Sequence, residues 1–205
     1  MVREQVEARG IRDPAILEAM RTVPRHRFVP EGRQYAAYDD APVALGFGQT
    51  VSQPYMVALM TDLLKLTGAE TALEVGTGSG YQAAILALLA AHVVSVELLE
   101  PLAEAASRRL ADLGFANVTV VAADGSAGAP FGGPFDAILV AAGGPHVPPP
   151  LIAQLAPGGR LVMPVGGAGT QTLTLVRRRP DGETETSAHG SCVFVPLVGE
   201  YGWLT

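Results

Sequence analysis

Apolar and polar positions change their rhythm near residue 70 of this chain. Upstream, residues 2–9 and 13–22 place apolar side chains at helical spacing, and Asp13-Pro14 supplies a cap and first turn for the second segment. Val23-Pro-Arg-His-Arg-Phe-Val-Pro30 breaks the helix, because its prolines lack an N–H and clash with the turn before them. A loop rich in Gly, Asp and Pro then leads to Gly46-Phe-Gly-Gln-Thr-Val-Ser-Gln-Pro54. From Ser52 to about Leu66, Val57, Met60 and Leu64 return to one helical face, with Ser52 typed as the N-cap and Pro54 tolerable in the first turn.

From Thr71 the pattern becomes strand, helix, strand. Predicted strands are 71–75, Val93–Glu97, Val118–Ala122, Asp136–Ala141, Arg160–Val165, Thr172–Arg177 and Ser191–Val195. Helices are predicted at 81–90 and 101–113, the second opened by Pro101 and closed by Gly114. Strands alternating with helices imply an α/β fold with a doubly wound, mostly parallel sheet covered on both faces. Short turns between the last strands predict an antiparallel edge. The expected organisation is a single domain over 1–205, with an N-terminal helical extension (1–66) on an α/β core (67–205).

The candidate chemistry starts at Thr71-Ala-Leu-Glu-Val-Gly-Thr-Gly-Ser-Gly80, a strand running into three glycines at alternate positions. Glycines there let the backbone turn sharply and approach a ligand closely, and the helix that follows offers free N–H groups. The dinucleotide fingerprint G-x-G-x-x-G, counted from Gly76 and Gly78, requires its third glycine at position 81, where Tyr81 stands. Glu74, two residues before Gly76, would repel a pyrophosphate but can face a cationic ligand. This E-x-G-x-G-x-G form resembles the first motif of class I S-adenosylmethionine-dependent methyltransferases. Glu97, about twenty residues after the loop, is placed to accept ribose hydroxyl hydrogens, and Asp124-Gly125 after the third strand suits an adenine amino group. Asp136 starts the fourth strand and reads as structural.

Composition narrows the classes. The 205 residues are 48% hydrophobic, enough for a sizeable core, yet no uninterrupted apolar run reaches the roughly 20 residues that span a bilayer. Met1-Val-Arg-Glu-Gln-Val-Glu7 is charged and helical rather than a signal peptide, so a cytoplasmic protein without membrane attachment is expected. The single Cys192 excludes an internal disulfide and a cysteine-cluster metal site; within Cys192-Val-Phe-Val-Pro-Leu197, read as a buried strand, it is expected to be a small core residue. Net charge is −6, and Arg177-Arg-Arg179 runs at once into acids, as a solvated hairpin turn would, so nucleic acid is not an expected partner. No metal and no stable protein partner are predicted.

Of the four histidines, His26, His92, His146 and His189, none belongs to a triad or an H-E-x-x-H arrangement, and His146 is the one whose loop follows the fourth strand. After that strand, Ala141-Ala-Gly-Gly-Pro145 supplies no side-chain oxygen to hold an amino group, which counts against base methylation and favours an anionic acceptor. A carboxylate acceptor is already ionised at pH 7, its pKa being about 4, and needs no general base.

Several further blocks resemble one family, the protein-L-isoaspartate O-methyltransferases, over nearly the whole length. They are Arg9-Gly-Ile-Arg-Asp13, Val23–Pro30, Gly48-Gln-Thr-Val-Ser-Gln-Pro-Tyr-Met56, the glycine loop, Leu155-Ala-Pro-Gly-Gly-Arg-Leu161 and Phe194-Val-Pro-Leu197. The resemblance implies methylation, from S-adenosylmethionine, of the free α-carboxylate of isoaspartyl residues in damaged proteins and peptides, leaving S-adenosylhomocysteine. It puts the active-site serine at Ser52. It puts cofactor contacts at Gln49, Thr50, Val51, Ser52, Glu74, Gly76, Gly78, Ser79, Glu97, Asp124 and Gly125. Ala123 stands where the family usually has glycine, and Val198 where it often has threonine. An oxidoreductase using nicotinamide, a methyltransferase for another anionic acceptor and a non-catalytic adenosine-binding module are the rival readings.

Overall fold

The computed structural model describes residues 1–204. Val2–Val6 and Glu7–Arg9 form irregular π- and 3-10-type turns rather than the regular helix predicted, ended by Gly10 at φ 101°. Helix α1 (Pro14–Thr22) begins as expected: Asp13 Oδ1 accepts from Ala15 N at 2.9 Å, satisfying an orphan donor of the first turn. Two 3-10 turns, Arg25–Phe28 and Glu31–Ala36, carry the proline-rich stretch. A small antiparallel hairpin, β1 (Val43–Gly46) and β2 (Gln49–Val51), follows; the sequence pattern did not reveal it.

Helix α2 (Pro54–Leu64) starts later than predicted. Gln53, not Ser52, is its N-cap, and no side chain caps it. Proline prefers the first helical position, because its fixed φ suits the helix and its missing N–H would have been unpaired anyway, so Pro54 sets the start.

The main sheet has seven strands in the order β5-β4-β3-β6-β7-β8-β9. In chain order these are β3 (Thr71–Val75), β4 (His92–Glu97), β5 (Val118–Ala122), β6 (Phe135–Val140), β7 (Leu155–Gly166), β8 (Gln171–Arg178) and β9 (Thr184–Cys192). The crossovers carry α3 (Tyr81–Ala87), α4 (Glu100–Asp112) and α5 (Pro149–Gln154). Pairings from β5 through β7 are parallel, and β7–β8 and β8–β9 are antiparallel, as the short turns predict.

Alternation explains why both faces are covered. Leu73 and Val75 pack with Ile138, Val140 and Leu151 on one face, whereas Ala72, Ala137 and Leu139 meet Met60 and Leu64 of α2 on the other. Each buried leucine or valine is worth about 1.5–3 kcal/mol. A third cluster joins Ile16, Met20 and Phe28 of the N-terminal segment to Val57, Tyr81 and Ile85, so this segment seals the helix after the glycine loop. Asp136 has the structural role expected of it, accepting from Thr71 N at 2.9 Å.

The end of the chain departs from prediction. Ser191–Val195 is not the last strand; β9 is the polar, largely exposed stretch Thr184–Cys192, closing a hairpin with β8. The apolar run after Cys192 leaves the sheet and lies against the loop that follows β6, where Gly143 bridges Pro196. Cys192 is half-buried rather than a core residue.

Candidate active site

Between β3 and β6 the strand order reverses, and the carboxyl ends of these strands diverge into a crevice where open α/β sheets hold their ligands. Here it is a cavity of about 890 Å³. Gly76 and Gly78 line its floor at φ 92° and 53°, conformations that side chains bearing a Cβ adopt only under strain. Leu45 of the β1–β2 hairpin lies 3.5 Å from where a Cβ on Gly78 would stand, so the hairpin leans over the glycine loop.

Glu97, at the end of β4, ties this loop down. Its Oε2 accepts from Gly78 N at 2.8 Å and its Oε1 from Leu99 N at 3.0 Å. A carboxylate has about four lone-pair sites, so each oxygen retains one for a further donor in the cavity that Glu97 lines. Apolar Val96, Leu98 and Leu99 lie beside it. A diol-accepting carboxylate next to an apolar wall and an open glycine floor fits an adenosine-bearing ligand.

The predicted site residues separate into two groups. Gln49, Thr50, Val51, Ser52, Gly76, Gly78, Ser79, Glu97 and Gly125 all line the one cavity. Glu74 and Asp124 do not. Glu74 is fully buried in the sheet, where its Oε2 meets Ser95 Oγ, which in turn is 2.6 Å from Thr77 Oγ1. Its Oε1 has no hydrogen-bond partner. Burial pushes its carboxyl up to about 8; the Ser95 bond only partly offsets that, and the neighbouring Glu97 charge adds to it. Burial thus favours the neutral form of Glu74, and its side chain sits within the sheet rather than on the cavity wall where the sequence reading put it. Asp124 is turned away toward the C-terminal residues, with Glu200 N donating to its Oδ2 at 2.8 Å.

Ser52 borders the cavity without capping α2, so the anion site expected from an N-cap serine is not built that way. What fixes it is Arg25. This arginine is wholly buried; its Nη2 donates to Ser52 O and its Nε to Ala37 O, both at 2.7 Å. Its guanidinium carbon lies 4.7 Å from the centre of the Tyr81 ring. Burial lowers the Arg25 pKa, partly countered by Tyr81, and pushes the Tyr81 phenol up to about 12. Tyr81, occupying the place of a third dinucleotide glycine, is thus a core residue, edge-on to Phe28 with 5.5 Å between ring centres.

Other lining residues escaped the sequence reading. Arg9 stacks 3.5 Å from the ring centre of Tyr55 and pairs with Asp40 at 3.3 Å. Phe47 is exposed at the hairpin tip, and Cys192 and His189 line the far wall. His146, the histidine placed by sequence to approach the site, is not among the cavity residues. Arg9, Phe47, Tyr55 and Cys192 lay within segments already singled out, though not as cavity residues; His189 carries no local signal.

The family model for protein-L-isoaspartate(D-aspartate) O-methyltransferase matches residues 1–202. The chain is 53% identical over 203 residues to the protein-L-isoaspartate O-methyltransferase of Trichlorobacter lovleyi, covering 99% of this chain and 94% of that one. It is 52% identical over 205 residues to that of Geobacter metallireducens, covering 100% and 95%. A solved protein-L-isoaspartate O-methyltransferase superposes with a TM-score of 0.86 at 28% identity, over 98% of this chain and 67% of that one. A Plasmodium falciparum structure, described as a beta-aspartate methyltransferase in complex with S-adenosyl-L-homocysteine, gives 0.80 at 25% identity over 95% of each chain. With its glycine floor, Glu97 and the Gln49–Ser52 segment gathered on one cavity, this chain belongs to the protein-L-isoaspartate(D-aspartate) O-methyltransferase family.

Proposed function

We infer that this protein repairs damaged proteins by methylating the free α-carboxylate of L-isoaspartyl residues, using S-adenosylmethionine as methyl donor. The observation that carries the reading is the placement of the Gln49–Ser52 segment, the family's specific block, along the same cavity as Glu97 and the glycine floor. When bound, the donor supplies an activated methyl group: its carbon–sulfur bond breaks with the electron pair left on sulfur, and the acceptor carboxylate oxygen forms the new bond to carbon.

The chain's own groups bind and orient. Glu97 accepts the ribose hydroxyls with the lone pairs that Gly78 and Leu99 leave free, and the floor at Gly76 and Gly78 admits the donor closely. Ser52 Oγ–H donates to the acceptor carboxylate, held in place by the Arg25 clamp on its own carbonyl. No group is asked to remove a proton, because the acceptor is ionised at neutral pH, and rate comes from positioning. The ester then collapses to a succinimide, whose hydrolysis returns part of the material to aspartate.

The acceptor is a protein or peptide and not nucleic acid, a reading supported by the net charge of −6. None of the helices among the described residues is long and apolar enough to cross a membrane, which accords with a cytoplasmic location. The test is methyl transfer from labelled S-adenosylmethionine to one peptide in L-isoaspartyl and L-aspartyl forms. Transfer to the isoaspartyl form alone is expected; transfer to neither, or to both equally, refutes the reading.

A further inference from the structure

The tip of the β1–β2 hairpin departs from the chemistry of its own turn. Gly46 pairs with Gln49, which leaves Phe47 and Gly48 as a two-residue connection, and both have positive φ, 53° and 72°. Such a turn suits Asn-Gly or Gly-Gly, because a Cβ in the left-handed region crowds the following carbonyl. Gly48 meets the requirement and Phe47 does not. Burial does not offset the strain either, since Phe47 is 68% exposed.

What the ring does have is a place on the active-site cavity, five positions before Ser52 on the segment that lines it. Val193, 72% exposed in the stretch after β9, lines the same cavity. These two stand at its rim, while Val75, Thr77 and Ser79 are buried in its interior. A small donor on the glycine floor is enclosed. The acceptor is a length of chain, which inserts one carboxylate and leaves its neighbouring residues at the mouth. Strained residues persist where function holds them, and an aromatic kept exposed at this mouth is placed to meet those neighbours.

We propose that Phe47 is a specificity-determining residue for the acceptor: its ring packs on a side chain adjoining the isoaspartyl residue and selects an apolar one, with Val193 extending the apolar rim. The proposal rests on the methyl-transfer reading above and adds the peptide context of its substrate. Apolar contact is the basis of selection, because the ring carries no hydrogen-bonding group and its exposed area leaves water only when another apolar group covers it.

Two L-isoaspartyl peptides test this in the full chain, identical except that leucine or serine flanks the isoaspartyl residue on both sides. Wild type is expected to show a kcat/KM about tenfold higher for the leucine peptide, from partial burial of one leucine side chain. Phe47→Asn installs a residue that this turn favours. It should melt at or above the wild-type temperature, leave the Kd of S-adenosylhomocysteine within about twofold, and cut the leucine preference to about twofold. Phe47→Gly should cut it equally, and decides if Phe47→Asn does not melt cooperatively. An undiminished preference in the variants, an equal loss on both peptides, or weakened S-adenosylhomocysteine binding with the preference intact overturns the proposal. Methylation of both peptides by wild type without preference also overturns it and spares the methyl-transfer reading. Methylation of neither sinks both.

Discussion

Glu74→Gln separates a charged from a neutral reading of the acid before the glycine loop. The wild-type carboxyl ionises near 8 when folded against 4.5 for an ordinary glutamate, because burial disfavours the anion and no cation compensates it. A folded pKa above the unfolded one means that the native state holds the extra proton. Its contribution to stability is then full below 4.5 and is lost as pH rises toward 8. At about 1.4 kcal/mol per pH unit the loss reaches at most about 3 kcal/mol at pH 7 and about 5 by pH 8, with relaxation and water entry reducing it. Glutamine keeps the shape, the acceptor toward Ser95 and the neutrality. Urea unfolding of both proteins should therefore give similar stabilities at pH 5, with the variant gaining on wild type by about 1–3 kcal/mol by pH 8. All other titrating groups are shared and cancel in the difference. A difference that stays flat between pH 5 and 8, or falls, refutes the neutral assignment and restores a functional anion.

Other residues give sharper or simpler outcomes. Ser52→Ala should lower kcat for the isoaspartyl peptide by about 10- to 100-fold, the worth of a hydrogen bond to a charged group, while the donor KM changes less than twofold. Because Ser52 caps no helix, its melting temperature should stay near wild type. Arg25→Met leaves Ala37 O and Ser52 O without their buried donor and should cost about 3 kcal/mol by urea unfolding, with activity falling further than stability accounts for. Asp13→Ala should cost about 1 kcal/mol through the lost cap, without any change in KM. Phe47 sits at φ 53°, so Phe47→Gly should be close to neutral in thermal unfolding, relief of about 1 kcal/mol of strain offsetting glycine's entropy, whereas Phe47→Val should destabilise.

Local regularity decided how much of the fold was legible. Strands β3, β4 and β6 are buried on both faces, so their residues form apolar runs whose ends the glycines and prolines mark, and these strands, like the half-exposed edge strand β5, were placed to within about a residue. The edge failed for the opposite reason. Thr184–Cys192 is a polar strand held by its hairpin to β8, and its side chains look like those of a solvated turn. The apolar run after it looked like a strand because its burial comes from packing on the loop after β6, a contact 53 residues distant in sequence (Gly143 to Pro196) that no periodicity encodes.

Within the site the same division holds, between what a segment specifies alone and what only the folded chain brings together. The glycine loop and Glu97 are legible because turn geometry and strand spacing fix them locally, and the structure sets them on one cavity. Glu74 shows what sequence leaves out: it gives the ionisable group and its distance from the loop but not the dielectric around it, and full burial favours the neutral acid. Asp124 adds a contact that no local pattern shows: its Oδ2 accepts from Glu200 N, 76 positions away, while its Oδ1 accepts from Ser126. Arg25 shows the converse. Within Val-Pro-Arg-His-Arg-Phe it looks like any surface cation, yet it is the buried link through which the N-terminal segment sets the backbone of Ser52. Side chains whose partners lie far along the chain thus carry the placement of the reacting groups, and substitution of Arg25, whose own motif gives no sign of this role, is where function should prove most sensitive to geometry rather than to chemistry.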